Sequence, residues 1–153
     1  MNLDVPSSEQ KIFQKSVEID APASRVWQAL TLPESMKKWM MPGLKLEILT
    51  DWQVGSPLLM GGNMNGKDFE NRGTVLQYEP EKRLQYSHLS SISRLPDRPE
   101  SYSILNFALH PTGEWTVLTL TLSNFPNESI YKHLSFYWNV TLEVLKRWIE
   151  DQG

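Results

Sequence analysis

Hydrophobic and polar residues alternate in several short stretches of the chain, and this period of two predicts β-strands. One stretch lies near residues 13–20, and the others lie between residues 44 and 123. The clearest is the last, in which Leu118, Leu120 and Leu122 alternate with Thr119 and Thr121. We therefore expect Leu120 to be buried at the centre of a strand.

Three other segments have helical spacing. Val26, Trp27 and Leu30 share one helical face soon after a proline, and Pro33 ends this first helix. A second short helix is predicted over about residues 34–40. Residues 127–150 are predicted to form one uninterrupted helix with a broad apolar stripe, flanked by Trp138 and composed of Ile130, Leu134, Tyr137, Thr141, Val144, Leu145 and Trp148.

This order of elements predicts an α+β fold. Consecutive strands joined by short turns favour antiparallel pairing. A long helix with a wide apolar stripe must bury that stripe, and the sheet is the available partner. We expect a curved antiparallel sheet of about 6–7 strands around one long C-terminal helix, with two short helices after strand 1. Residues 1–11 are predicted to be a polar lead-in, and residues 12–153 a single domain.

Composition and charge exclude several functions. The net charge is −3, and the 15 Lys and Arg residues are scattered, so we expect no nucleic-acid partner. There is no Cys, which excludes disulfides, thiol catalysis and cysteine-ligated metals. No apolar run approaches the ~18 residues of a membrane span, and no signal peptide is evident, so we expect a cytoplasmic protein. The oligomeric state is left open.

No complete catalytic or metal-binding set is visible. The three histidines lack metal-ligand spacing, so neither a metal nor another cofactor is expected. His110 and His133 are predicted to be solvated, whereas His88 shares a strand face with Tyr86. Asp68 and Glu70 follow a Gly-rich turn and are weak candidates for the mouth of a cavity. Whether the protein is an enzyme stays open, and a non-enzymatic function is favoured.

Six short sequence segments occur in a characteristic order and spacing. They are residues 17–22 (VEIDAP), 26–30 (VWQAL), 38–40 (KWM), 73–75 (GTV), 84–86 (LQY) and 118–121 (LTLT). Together they resemble the START-like (SRPBCC) superfamily, and within it the family named after the activator of the ninety-kilodalton heat-shock chaperone ATPase. The resemblance covers about residues 12–150. The chain departs from the family pattern at Met40, at Leu122 and at the Tyr137-Trp138 pair.

The resemblance implies a helix-grip fold with a hydrophobic cavity between the sheet and the C-terminal helix. The leading hypothesis is therefore a protein that binds a small apolar or aromatic molecule. One alternative is a stress-response module linked to a chaperone ATPase and acting through its surface, and another is a cavity enzyme of the cyclase or hydrolase type. Large aromatic and methionine side chains are suited to such a cavity. We expect Trp39, Tyr86 and Trp138 to approach one shared cavity, and the full set of candidates is Trp39, Met60, Met64, Tyr86, His88, Phe107, Tyr137 and Trp138.

Overall fold

The computed structural model describes residues 11–152 of the chain. Its elements follow the predicted order of one strand, two short helices, six strands and a long helix. They are β1 (Phe13–Ile19), α1 (Ala23–Thr31), α2 (Pro33–Trp39), β2 (Leu46–Leu49), β3 (Pro57–Met64), β4 (Lys67–Glu79), β5 (Arg83–Ser90), β6 (Ser103–Thr112), β7 (Trp115–Ser123) and α3 (Glu128–Gln152). Two short 3₁₀ turns, Ser91–Ser93 and Pro99–Ser101, lie between β5 and β6.

The seven strands form one sheet in the order β1-β7-β6-β5-β4-β3-β2, and every neighbouring pair is antiparallel. Strands β2 to β6 each pair with the next strand along the chain, and β1 lies at the edge of the sheet beside β7. Asn65 and Gly66 both have positive φ angles, 54° and 83°, at the turn between β3 and β4. Such a pair suits the tight hairpin turn whose twist matches that of its strands. The predicted α+β fold with an antiparallel sheet is confirmed.

Prolines separate the two short helices. Pro22 caps α1, and Pro33 is the first residue of α2, where its fixed φ angle is compatible with a helix and its missing N–H is not needed. Met36 and Trp39 are the buried residues of α2. The short helix therefore begins one residue earlier than predicted and carries Trp39 into the core at its end.

The long helix α3 is uninterrupted, as predicted. Asn127 precedes it, and its side-chain oxygen accepts a hydrogen bond from the backbone N–H of Ile130 at 2.9 Å, which caps the helix. The prediction of its buried face was partly wrong, because Tyr137, Val144 and Trp148 are only half-buried. The buried seam is rotated by about one position and consists of Leu134, Trp138, Thr141, Leu142, Leu145 and Ile149.

Polar contacts fix α3 along the edge strand β1. The ammonium group of Lys11 lies 2.7 Å from a carboxylate oxygen of Glu128, at the start of the helix. Lys15 donates to the backbone carbonyl of Asn139 at 2.8 Å in the middle. The backbone N–H of Asp20 donates to Glu150 at 2.9 Å near the end. Lys11 thus contacts the folded domain, and residues 1–10 of the predicted lead-in lie outside the described residues.

The sheet face toward α3, called the inner face here, carries the core. Leu118, Leu120 and Leu122 are completely buried on it, which confirms the predicted orientation of β7. Leu142 and Leu145 of α3 are equally buried. Among residues 11–152, no helix combines the length and the apolar character that crossing a bilayer requires.

Candidate functional site

A cavity of about 580 Å³ lies between the inner face of the sheet and the N-terminal half of α3. Protein interiors are normally close-packed, with few voids larger than a water molecule, so a space of this size is not a packing defect. Its walls come from the end of α2, from strands β2 to β6, from the connection between β5 and β6, and from α3. The lining residues are Met40, Met41, Leu46, Met60, Met64, Phe69, Asn71, Tyr86, His88, Leu89, Ser90, Ile92, Ser93, Leu95, Ser101, Ser103, Leu105, Asn127, Ser129, Ile130, His133, Leu134, Tyr137 and Trp138.

Six of the eight predicted site residues lie around this cavity. The sheet contributes four of them from β3 and β5, and α3 contributes two. These six are Met60, Met64, Tyr86, His88, Tyr137 and Trp138. Their contact with a ligand stays a prediction.

The other two predicted residues, Trp39 and Phe107, do not line the cavity. Their ring centroids lie 6.1 Å and 5.6 Å from that of Trp138, so they pack behind the wall that Trp138 forms. The indole N–H of Trp39 donates to the backbone carbonyl of Ala29 at 2.9 Å, which fixes the ring inside the core. Of the three rings expected to approach one cavity, those of Tyr86 and Trp138 line it. The Trp39 ring packs behind that of Trp138.

The described residues that line the cavity include no Asp, Glu, Lys or Arg. Asp68 and Glu70, the candidate acids for the cavity mouth, alternate with Phe69 along β4 and lie on the opposite face. Asp68 accepts a hydrogen bond from the Asn63 amide at 2.8 Å, and Glu70 pairs with Arg72 at 2.6 Å. Both acids are exposed, so the cavity contains no carboxylate that could act as a base or bind a cation.

Three polar side chains on adjacent strands form what we call the polar end of the cavity: Asn71 on β4, His88 on β5 and Ser103 on β6. His88 lies directly opposite Ser103 in the antiparallel register. Side chains in such a pair have Cβ atoms about 4.5–5.5 Å apart on the same face. Asn71 lies opposite Ser90, two residues further along β5.

Two buried atoms of the polar end have no hydrogen-bond partner within residues 11–152. Among the described residues, none bonds to the buried Asn71 Oδ1 or to the Ser103 hydroxyl, and Ser103 is only 1% exposed. A buried polar group without a partner costs roughly 1–3 kcal/mol of stability. Sequence analysis did not identify Asn71 or Ser103. The sequence contains one signal for them: each lies two residues from an inward apolar residue, Asn71 from Phe69 and Ser103 from Leu105. A polar residue on such a face is unusual.

His88 is neutral at physiological pH. Its ring is half-buried in the wall of the cavity, and the loss of solvation there lowers its pKa from 6.5 to about 4. Repulsion from the protonated form of His133, which borders the cavity from α3, lowers the pKa of His88 further. The exposure of His133 was predicted, but its position beside the cavity was not predicted. A neutral imidazole has one donor and one acceptor nitrogen, so His88 is available for either kind of hydrogen bond.

The two tyrosines of the cavity are also neutral. Burial raises the pKa of Tyr86 far above its ordinary value, and the nearby Tyr137 raises it further. Burial likewise raises the pKa of Tyr137 to about 12. The Tyr137 hydroxyl donates a hydrogen bond to the backbone carbonyl of Met40, which ties α3 to the end of α2. The hydroxyls of Tyr86 and Tyr137 and the imidazole of His88 therefore act as neutral hydrogen-bonding groups.

The segment between β5 and β6 covers one side of the cavity. Ile92 and Leu95 line it from this segment. On the outside, Asp97 accepts hydrogen bonds from the Tyr102 hydroxyl at 2.6 Å and from Arg72 at 3.2 Å. The Tyr102 hydrogen bond, with a further contribution from Arg72, holds the pKa of Asp97 below its ordinary value. These bonds tie the covering segment to the sheet.

Two arrangements typical of metal or nucleophilic catalysis do not occur among residues 11–152. Among residues 11–152, no three His, Asp or Glu side chains are grouped so as to hold a metal ion. Activation of a serine requires a base within hydrogen-bond reach. Ser103 and His88 face each other without such a bond.

Comparison with known proteins agrees with the fold. The family model described as Activator of Hsp90 ATPase homolog 1-like protein matches residues 20–150. The solution structure of ChR145 from Cytophaga hutchinsonii is 35% identical, with a TM-score of 0.78 over 94% of this chain and 96% of that one. A comparison with curated protein sequences gives no match.

Two more distant structures share the fold. The Aha1 dimer from Colwellia psychrerythraea is 24% identical, with a TM-score of 0.71 over 92% of this chain and 97% of that one. DynU16, from the dynemicin biosynthetic locus, is 22% identical, with a TM-score of 0.70 over 95% of this chain and 48% of that one. The family model spans most of the chain and confirms the resemblance seen in the sequence. The chain belongs to the family of Activator of Hsp90 ATPase homolog 1-like proteins.

Proposed function

We propose that this protein binds a small apolar or aromatic molecule in the cavity between the sheet and α3. The observation that carries the proposal is a cavity of about 580 Å³ whose lining has no charged carboxylate, ammonium or guanidinium group. Ligand sites in proteins typically measure about 300–1,000 Å³ and combine apolar walls with a few polar groups. This cavity has both features.

The walls supply the apolar contact. Four methionines line the cavity: Met40, Met41, Met60 and Met64. Methionine is flexible and polarizable, so the lining adapts to an irregular or aromatic body. Trp138 offers a flat ring surface that Trp39 and Phe107 hold from behind.

The same geometry supports binding more than the two alternative functions. A hydrolase or cyclase site needs an oriented acid, base or nucleophile, and the cavity has no carboxylate. A module that acts through its surface has no use for a large cavity. Each alternative becomes the better interpretation if the cavity takes no ligand.

Titration with the neutral fluorescent probe N-phenyl-1-naphthylamine tests the proposal. The probe should bind with enhanced fluorescence, and native mass spectrometry of the purified protein should show a bound small molecule. Met64→Trp enlarges a side chain at the rim of the cavity and should weaken probe binding by about tenfold or more, equivalent to 1.4 kcal/mol. Val54→Trp is the matched control, because Val54 is 64% exposed outside the lining, whereas Met64 is 36% exposed within it.

Two results would contradict the proposal. One is the absence of any probe binding by the folded wild-type protein together with a native mass equal to that of the bare chain. The other is equal weakening of probe binding by both tryptophan variants, because this would place the probe on the surface instead of in the cavity.

A further inference from the structure

The lining of the cavity is chemically divided. Apolar and aromatic side chains make up most of it, and the polar end (Asn71, His88 and Ser103) interrupts them on the inner face of the sheet. The strand register brings these three residues together, because His88 lies opposite Ser103 and Asn71 lies opposite Ser90, the next inward residue after His88. Met60 lies directly opposite Asn71, so apolar side chains border the polar end. A ligand that fills the cavity must therefore present a polar group here and an apolar body elsewhere.

The polar end requires a group that donates a hydrogen bond. The buried Asn71 Oδ1 has no partner among the described residues, and an amide oxygen only accepts. The Ser103 hydroxyl, which also lacks a partner, both donates and accepts. A ligand carbonyl or ether could accept from the Ser103 hydroxyl but could not donate to Asn71 Oδ1, whereas a ligand hydroxyl could do both.

The ligand group must also be neutral. No Lys or Arg is among the described residues that line the cavity, and no Asp or Glu is among them either. Burial of an ion without an opposite charge is strongly unfavourable. A carboxylate or an ammonium group would therefore be excluded from the polar end, although each forms hydrogen bonds well.

We infer that the ligand carries a neutral hydroxyl, aliphatic or phenolic, which binds among Asn71, His88 and Ser103 while the apolar body of the ligand lies against the methionines. This inference rests on the proposed binding function and specifies the chemical class of the ligand. The hydroxyl donates to Asn71 Oδ1 and accepts from the Ser103 hydroxyl or from the imidazole N–H of His88. The unsatisfied groups of the polar end then gain partners.

Three matched probes separate the chemical classes: naphthalene, 2-naphthol and 2-naphthoate share one ring system and differ in their polar group. Each is measured by displacement of N-phenyl-1-naphthylamine at neutral pH. We expect 2-naphthol to bind about 2- to 10-fold more tightly than naphthalene, which corresponds to one net hydrogen bond. We expect 2-naphthoate to bind more weakly than naphthalene, because its charge would be buried unpaired.

Variants assign the difference to the polar end. Ser103→Ala and His88→Phe should each reduce the advantage of 2-naphthol over naphthalene and leave naphthalene binding nearly unchanged. Ser24→Ala, at an exposed serine of α1, should keep the wild-type preference. Circular dichroism of each variant checks that it is folded, and the naphthalene affinity checks that the cavity is intact.

The outcomes distinguish this inference from the proposed function. Equal binding of naphthol and naphthalene, tightest binding of naphthoate, or no displacement by any of the three would overturn the inference while N-phenyl-1-naphthylamine binding still supports a cavity ligand. A naphthol preference that survives both variants would also overturn it. Failure of N-phenyl-1-naphthylamine itself to bind would remove the proposed function.

Discussion

Mildly acidic pH should destabilise the protein through His88. In the folded protein the pKa of His88 is about 4, whereas its ordinary value is 6.5. As the pH falls below 6.5, the unfolded chain gains a proton at His88 while the folded protein remains unprotonated there. The unfolded state then binds more protons, so stability rises with pH across this window and falls as the pH is lowered.

The size of the effect follows from the difference in pKa. About 2.5 pKa units at 1.4 kcal/mol per unit correspond to roughly 3.5 kcal/mol as an upper limit. The loss should be absent above about pH 6.5, grow between about pH 6.5 and 4, and stop growing below pH 4. Tyr86 and Tyr137, which face the same cavity, have raised pKa values and do not titrate in this range. His133 faces the same cavity, and its charge contributes to the lowered pKa of His88.

Urea unfolding at pH 7, 5.5 and 4 measures the effect in wild type, His88→Gln and His110→Gln. The exposed His110 provides the matched control. Asp97 and Glu150 also have lowered pKa values, so all three proteins should lose some stability in acid. Only His88→Gln should lose less than wild type. If the three proteins lose the same free energy of unfolding between pH 7 and 4, the assignment of a lowered pKa to His88 in the folded protein is wrong.

Two further predictions concern the sheet. Leu120→Ala should reduce the free energy of unfolding by about 2–5 kcal/mol, because Leu120 is completely buried, whereas Leu49→Ala at a 65% exposed position should change it by less than about 0.5 kcal/mol. Similar losses in the two variants by urea unfolding would contradict the assigned faces. Gly73→Ala should cost about 1–3 kcal/mol or more, because a Cβ there would lie 1.7 Å from the backbone oxygen of Ser87. Gly61→Ala, with its nearest atom at 3.4 Å, should cost clearly less, and equal thermal shifts would refute this.

The order of the elements could be predicted because each has a strong period. Leu118, Leu120 and Leu122 show the alternation of a strand that is buried on one side and solvated on the other. Sequence patterning identified only residues 73–78 of β4 as extended, because the inward side chains of residues 67–72 include Asn71 and polar residues therefore occur on both faces there. A strand that lines a polar cavity loses the alternation by which strands are predicted. The rotation of the seam on α3 was missed for a related reason, since Tyr137 borders the cavity and is apolar without being fully buried.

The candidate site was predictable by residue type only in part. Most of the aromatic and methionine residues selected by type line the cavity, and Trp39 and Phe107 do not, because type alone does not distinguish a wall residue from one behind it. Phe107 lies between Tyr86 and Trp138, with ring centroids 6.1 Å and 5.6 Å away, and only its two neighbours reach the cavity. Asn71 and Ser103 were missed because binary patterning assigns polar residues to the surface. Their position became clear only when the strand register placed them beside His88.

The two halves of α3 have different structural roles, and this explains why the cavity does not collapse. Leu142, Leu145 and Ile149 in the C-terminal half pack as core. At the other end, the ion pair between Lys11 and Glu128 fixes the first turn to the chain just before β1. A continuous helix of 25 residues, about 37 Å long, curves only gently, so its first turns follow the line set by these two ends. The bulk of Trp138, which packs on Phe107 of β6 at a centroid distance of 5.6 Å, separates these turns from the sheet, and the cavity lies in the space between them.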